Sequence, residues 1–416
     1  MNKLKWKILA IVLVLIFGAF FRFWCSFSVP TYQFDEGLVV PAAKSLLQYG
    51  TTTEMQWLHP HLNLIILYNM INVFGDNPYG WRISNIFFGT VSIFLIYLIG
   101  VKLYPNTKVP ILASCILAFD PFHAHFSRTA FMEIPTSFFF LLFFYFMIEY
   151  SENRRSVLVL AGIALGLTVA TKAYYFFAIP VVVLYTLYRV WQRGDLSHLV
   201  WIDFVVALVI LPIGIYLLSY FHWFGRGYTL PEFFAMKMDA IWLQQNFSLD
   251  DFEIPWYIEV GGKPWQWFLR PFISGHQIFS DGENGRFLLE INNPPFRLMV
   301  IPSLILVSVY AWRTRTVQEL LAPMLFVVCY FIFLIVDRPL FSSNSVVLLP
   351  FAYLAVASAV VIFARWLNRE KQVYSFFIFG VVAWGLYTFP LISGELVPIS
   401  FYRPLISIAS IIRAYY

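Results

Sequence analysis

Apolar runs close to membrane-spanning length recur along almost the whole chain, and this limits the fold more than anything else in the sequence. A bilayer core satisfies no backbone N–H or C=O, so a crossing segment must be a helix of about 20 apolar residues or part of a closed barrel. Candidate helical spans lie near 8–28, 80–103, 108–122, 133–150, 156–171, 173–191, 199–221, 296–312, 319–336, 345–366 and 373–392. The sequence therefore predicts an all-α polytopic membrane protein of about 11 transmembrane helices, forming one domain over 1–416. Composition agrees: charged residues make up 12% of the chain, against about 25% in soluble proteins. The run Leu62–Phe74 is too short to cross and reads as an interfacial or re-entrant helix. The amino-terminal "MNKLKWK" and its apolar run are followed by "FRFWCSF" and not by small residues. A retained first span is expected there rather than a cleaved signal. Cys25, Cys115 and Cys329 lack metal-ligand spacing and read as small buried hydrophobes.

Basic residues sort into alternate short connections: Lys3, Lys5 and Lys7; Lys102 and Lys108; Arg154 and Arg155; Arg189 and Arg193; Arg313 and Arg315; Arg365, Arg369 and Lys371. By the positive-inside rule these connections, and the amino terminus, are cytoplasmic. The net charge of +5 fits this bias and calls for no nucleic-acid partner. Two long segments then fall outside, 29–79 and 222–295. Loops of that length usually carry function.

The unexpected ionisable residues gather on that outer face. Asp35 and Glu36 stand side by side in "YQFDEGLVV". His59 and His61 follow in "LHPHL", and Arg82 opens a span in "YGWRISN". "FDPFHAHFSRTAFMEIP" supplies Asp120, His123, His125, Arg128 and Glu133. Lys172 lies in "ATKAYY", and Asp337 and Arg338 in "VDRPLFSSN". Cations in short outer turns run against the topology rule. Arg82, Arg128, Lys172 and Arg338 together point to an anion on that side, most simply a phosphate; pairing with local carboxylates is the alternative. Asp35 and Glu36 fit either a helix cap or a general base that deprotonates an acceptor hydroxyl. A carboxylate base beside a cationic phosphate site suits glycosyl transfer, with the phosphate as leaving group. The two His-x-His patterns lack a tight ligand set for metal. They suit hydrogen bonds to phosphate or sugar.

These residues resemble the protein O-mannosyltransferases, the dolichyl-phosphate-mannose–protein mannosyltransferases of the GT-C superfamily. Asp35-Glu36 is similar to the family's Asp-Glu loop, and "HPHL" to its His/Tyr-Pro-Pro-Leu element, with His61 at the second Pro. "GWRISN" resembles its Arg-led span. "SRTAFME" resembles its Ser-Arg turn, with Glu133 where Asp is usual, and "ATKAYY" its Thr-Lys turn. "PWQWFLRPF" and "NNPPFRLMV" look like further family segments. "DRPLFSSNSVV" keeps Arg338-Pro339 but has Ser and Asn where the family often has a His-Tyr pair. The loop 222–295 lacks the inserted domain of eukaryotic members, which leaves protein, lipid and glycan acceptors open.

The resemblance implies a GT-C fold with amphipathic helices in the first outer loop and a lipid-linked donor, a polyprenyl- or dolichyl-phosphate sugar. It implies an inverting transfer to an extracytoplasmic hydroxyl at the cell membrane, or at the endoplasmic reticulum membrane if the source is eukaryotic. Asp35 would be the base, Glu36 its partner, and no metal cofactor is expected. Arg82, Arg128, Lys172, His59, His61 and Arg338 would contact donor phosphate or sugar. The rivals are a flippase for an anionic lipid-linked glycan and a metal-dependent oligosaccharyltransferase-like enzyme. A transporter would place ionisable residues near the bilayer midplane, whereas here they crowd one face.

Overall fold

The computed structural model describes residues 3–49, 58–152, 155–194, 198–246, 264–269, 273–335, 340–407 and 410–413. The first half contains α1 (Lys3–Phe23), α2 (Glu36–Tyr49), α3 (Leu62–Phe74), α4 (Pro78–Leu103), α5 (Val109–Phe119), α6 (Pro121–Ser127), α7 (Glu133–Ser151), α8 (Leu158–Thr171) and α9 (Ala178–Gln192). Among the described residues eight helices are long and apolar enough to cross a membrane, or nine if α5 and α6, bent by 63° at their junction, count as one span. This is below the eleven expected from the sequence. The runs at 156–171 and 173–191 do become helices, but α8 has 14 residues and α9 has 15. Lys172 and a 3₁₀ turn over Ala173–Tyr175 take up the chain between them.

The most enclosed helices are Ser342–Trp366 and α7, buried over 89% and 83% of their apolar windows, while α1 and Trp201–Leu218 are buried over only 22% and 17%. The inner pair is sheathed by the others. Peripheral side chains such as Phe376 and Trp366 point outward, as lipid permits. Cys115 and Cys329 are buried as expected, but Cys25 is only half-buried.

The α5–α6 bend has a local cause. Asp120 takes an extended conformation, Pro121 starts α6, and the Asp120 carboxylate accepts a bond from Phe122 N at 3.2 Å. Its other oxygen accepts from Tyr353 Oη at 2.5 Å, tying the bend to the central helix. At Gly89 a Cβ would lie 2.2 Å from Ser127 Oγ, so only glycine lets α4 approach α6 this closely.

The expectation of an all-helical chain needs one amendment. Within the long segment 222–295, β1 (Ile273–Ser280) and β2 (Asn284–Ile291) form an antiparallel hairpin. The turn is set by Asp281, whose carboxylate accepts from Glu283 N and Asn284 N, and by Gly282 at φ +93°. β3 (Leu396–Pro398) pairs antiparallel with β2, and β4 (Ser410–Arg413) pairs parallel with β1, giving the order β3-β2-β1-β4. Buried Phe287, Leu289 and Ile291 seat β2 in the core of the bundle. The first long segment, 29–79, contains α2 and α3.

Candidate active site

Asp35 and Glu36 enter α2 differently. Phe34 is left-handed at φ 50°, a conformation that costs a bulky residue about 1–2 kcal/mol. Its ring packs edge-on against His125 at 5.0 Å. The helix starts directly after: Leu38 N and Val39 N both donate to Asp35 O at 2.9 Å. The Asp35 carboxylate itself caps nothing. Instead Glu36 reaches back, and its Oε2 accepts from Gln33 N at 2.9 Å.

Glu36 is fully buried and saturated. Arg82 Nε and Nη2 donate to its two oxygens at 2.8 and 2.7 Å, and Ala130 N donates to Oε1 at 3.2 Å. Arg82 is saturated too. Nη1 donates to Ser26 O and Val29 O at 2.7 and 3.0 Å, and Nη2 to Thr31 O at 3.0 Å. Arg82 sits here because Asn77 and Pro78 start α4 just before it; Asn77 Oδ1 accepts from Tyr79 N at 2.9 Å. Of the two expectations for Arg82, phosphate contact or pairing with a local carboxylate, this geometry provides the pairing, and Arg82 and Glu36 are both consumed in a clamp. The clamp fixes 26–31 against α4 and the 128–132 turn. Asn85 helps, donating from Nδ2 to Thr129 O and Phe131 O at 2.6 and 2.8 Å.

Asp35 differs. Its carboxylate has no hydrogen-bond or ion-pair partner among the described residues, and the residue is exposed. Even so, it lies in a recess crowded by protein. That crowding, reinforced by the Glu133 charge and opposed by Lys172, pushes its pKa up from 3.8 to about 6. Water access keeps part of its hydration, so the carboxyl stays ionisable near neutral pH.

Glu133 opens α7. Lys172 Nζ binds its Oε1 at 2.9 Å and stands 4.4 Å over the Tyr174 ring. Tyr174 Oη donates to the same oxygen at 3.2 Å and accepts from Asn344 Nδ2 at 2.5 Å. Burial opposes the Lys172 charge, but Glu133 and Tyr174 outweigh it and raise its pKa, so the ammonium persists. The recess thus sets an uncommitted carboxylate near a neutralised Glu133–Lys172 pair.

The other expected residues lie elsewhere. Arg128 is buried, donates to Phe21 O and Ser393 O at 2.9 and 3.3 Å, and sits 5.8 Å from the Phe389 ring. His61 belongs to a second cluster: its Nδ1 shares a 3.0 Å hydrogen bond with His222 Nε2, and its ring lies 4.4 Å from Tyr220, which Lys237 also touches. Burial holds His61 and His222 below their usual pKa, His222 to about 4, so both imidazoles are neutral. His59 is half-buried beside Leu58, whose carbonyl accepts from Gln244 Nε2 at 2.9 Å. Arg338 lies outside the described residues. Among the described residues no three His, Cys, Asp or Glu side chains gather as a metal site.

Sequence reasoning overlooked Tyr174, Asn344, Asn85 and Gln33. Tyr174 had a signal, a polar ring two residues after Lys172; Asn344 stands in the segment that departs from the family pattern.

Residues 60–224 match the sequence profile of the dolichyl-phosphate-mannose-protein mannosyltransferases. No curated protein matches the whole sequence significantly. Among solved structures, the Saccharomyces cerevisiae protein O-mannosyltransferase Pmt1-Pmt2 complex bound to the sugar donor is similar at TM-score 0.79 and 13% identity, covering 99% of this chain and 93% of that one. ArnT from Cupriavidus metallidurans bound to undecaprenyl phosphate is similar at TM-score 0.60 and 14% identity, over 93% and 71% of the two chains. The Archaeoglobus fulgidus oligosaccharyltransferase AglB, in complex with an inhibitory peptide and a dolichol-phosphate, gives TM-score 0.53 and 11% identity. That match covers 95% of this chain and 57% of AglB. The sequence resemblance is borne out: residues 60–224 carry the dolichyl-phosphate-mannose-protein mannosyltransferase pattern, and the chain shares the fold of these membrane glycosyltransferases.

Proposed function

We propose that the protein moves a sugar from a polyprenyl- or dolichyl-phosphate carrier to an acceptor hydroxyl at the extracytoplasmic face of the membrane, with inversion at the anomeric carbon. The observation that carries this reading is the contrast around Asp35: it is the carboxylate of its pair left uncommitted and open to water, in a recess built from rigid helix ends. Asp35 takes the proton of the acceptor hydroxyl as its oxygen bonds to the anomeric carbon. The bond from that carbon to the phosphate oxygen breaks, and its electron pair leaves with the polyprenyl phosphate. A phosphate leaves without protonation, so one carboxylate suffices. Lys172 is the cation best placed for the growing negative charge, since its ammonium has three donors and Glu133 and Tyr174 hold it at the recess. Arg82 and Glu36 act one step removed, by fixing the turn that presents Asp35. The structures of ArnT and AglB with bound lipid phosphates support a lipid-linked donor for this fold. The positive-inside pattern supports the outward placement of the recess.

The test is purified protein with a polyprenyl-phosphate sugar and membrane extract, followed by mass spectrometry of proteins, lipids and glycans. The expected result is a glycosylated acceptor and released polyprenyl phosphate. Asp35→Asn is expected to be folded and inactive, and activity is expected to survive chelator. Full activity in Asp35→Asn would overturn the assignment, and chelator sensitivity would favour the oligosaccharyltransferase-like reading.

A further inference from the structure

Helix α4 links the recess to a second feature. Arg82 lies near its amino-terminal end and Tyr97 near the other, about 20 Å apart at 1.5 Å per residue. At this far end a hollow of about 450 Å³ opens between α1, α4 and the α4–α5 connection, within the range of small-molecule sites, about 300–1,000 Å³. Trp6 and Lys7 of α1 form one wall, Tyr97 the second, and Asn106 with Lys108 the third.

The charges in the hollow are unbalanced. Among the described residues neither Lys7 nor Lys108 has an ion-pair partner. The carboxylates at this end of α7 are already taken, since Lys102 binds Glu149 at 2.8 Å and Glu152 at 2.7 Å. The hollow therefore holds two cations and no lining anion. A face that merely solvates its lysines needs no enclosed volume. Here the lysines stand on separate walls of a concavity, and Trp6, 57% exposed, lies at its edge, as an aromatic does at headgroup level. Asn106, left-handed at φ 62°, turns the connection that carries Lys108.

We propose that this hollow binds the headgroup of an anionic phospholipid from the leaflet opposite the recess. Two unpaired ammoniums match a headgroup bearing two negative charges better than one bearing a single charge. The acyl chains would lie on the exposed apolar surface of α1, where Leu9, Val12 and Leu13 already face outward. This site is independent of the sugar-transfer reading.

Native mass spectrometry of the full chain, titrated separately with cardiolipin, phosphatidylglycerol and phosphatidylcholine, tests it. Cardiolipin is expected to bind most tightly and phosphatidylcholine least. A juxtamembrane lysine contributes about fivefold in affinity for an anionic lipid. Lys7→Gln/Lys108→Gln should therefore weaken cardiolipin binding by at least tenfold and leave phosphatidylcholine unchanged. Lys5→Gln/Lys371→Gln, which alters exposed lysines outside the lining, should change it less than twofold. Three outcomes overturn the proposal: no headgroup preference, an equal loss in the control pair, or full displacement of cardiolipin by millimolar inorganic phosphate, which would make this a free-anion site.

Discussion

The carboxylate of Glu36 accepts four hydrogen bonds inside the protein, while that of Asp35, one residue earlier, accepts none among the described residues and faces water. Glu36 joins 26–31, α4 and the 128–132 turn. Asp35 joins nothing and is displayed by what Glu36 joins. Adjacent acids in one loop can therefore divide structure and chemistry between them. A saturated carboxylate is a poor base, because its lone pairs are occupied and its charge is already stabilised. An uncommitted one in a crowded recess keeps its affinity for a proton. The clamp bears the burial cost of two charges so that the open acid can be held still.

The sharpest way to break this comparison is to neutralise each acid separately. Asp35→Asn should lower turnover by about 10²–10⁴, the usual worth of a general base, without lowering the melting temperature. Activity assays and thermal unfolding in the same detergent read both quantities. A loss of stability with little loss of turnover would reverse the two roles.

Arg82→Met should do the opposite first. It leaves Glu36 buried without its cation, at a cost of about 3–5 kcal/mol, seen as a large fall in melting temperature. Variants that still fold should lose activity through misplacement of Asp35. Wild-type stability with lost donor binding would return Arg82 to the phosphate.

The pH dependence separates the two regions with less force but a distinctive sign. The folded pKa of Asp35 is raised from 3.8 to about 6. A base must be ionised, so turnover should be level above about 6 and fall tenfold per unit below it. For folding the sign is reversed. A raised folded pKa means the native state binds this proton more tightly, so the stability from Asp35 is present below 3.8 and lost as pH rises through about 6. Mild acid should therefore slow the enzyme while Asp35 favours the fold, and Asp35→Asn should remove both effects. A pH–rate profile beside pH-dependent unfolding of the two proteins checks this.

How much of this could be read from the sequence follows from contact range. Spans, the gathering of Asp35, Glu133 and Lys172, and the short helix at 62–74 rest on local pattern and were legible. The roles of Glu36 and Arg82 were not, because a cation 46 residues away in sequence decides whether a carboxylate is free. Asn344 reaches Tyr174 across 170 residues, so nothing local marks it as a neighbour of the recess. The sheet was hidden for the same reason: β4 pairs with β1 from the far end of the chain, and the Gly- and Pro-rich composition of 222–295 hides its hairpin. The break at Lys172 was legible, and both runs beside it are helices, Leu158–Thr171 and Ala178–Gln192, shorter than their apolar composition suggests.

The smallest effect bears on where the reacting centre ends. Tyr174 Oη donates to Glu133 and accepts from Asn344, but Lys172 binds the same Glu133 oxygen independently. Tyr174→Phe keeps the ring under the ammonium and removes only the hydroxyl. Glu133 loses one of two donors, and Asn344 loses its acceptor, at a cost of about 0.5–1.5 kcal/mol. If the chemistry is confined to Asp35, turnover should stay within tenfold of wild type while the melting temperature falls slightly. A loss as deep as that of Asp35→Asn, with stability kept, would mean the hydroxyl meets the substrate, and the centre would extend along Glu133, Tyr174 and Lys172. The ratio of the two losses, measured on one preparation at one pH above 7, decides between a single working acid and an acid with a second polar wall.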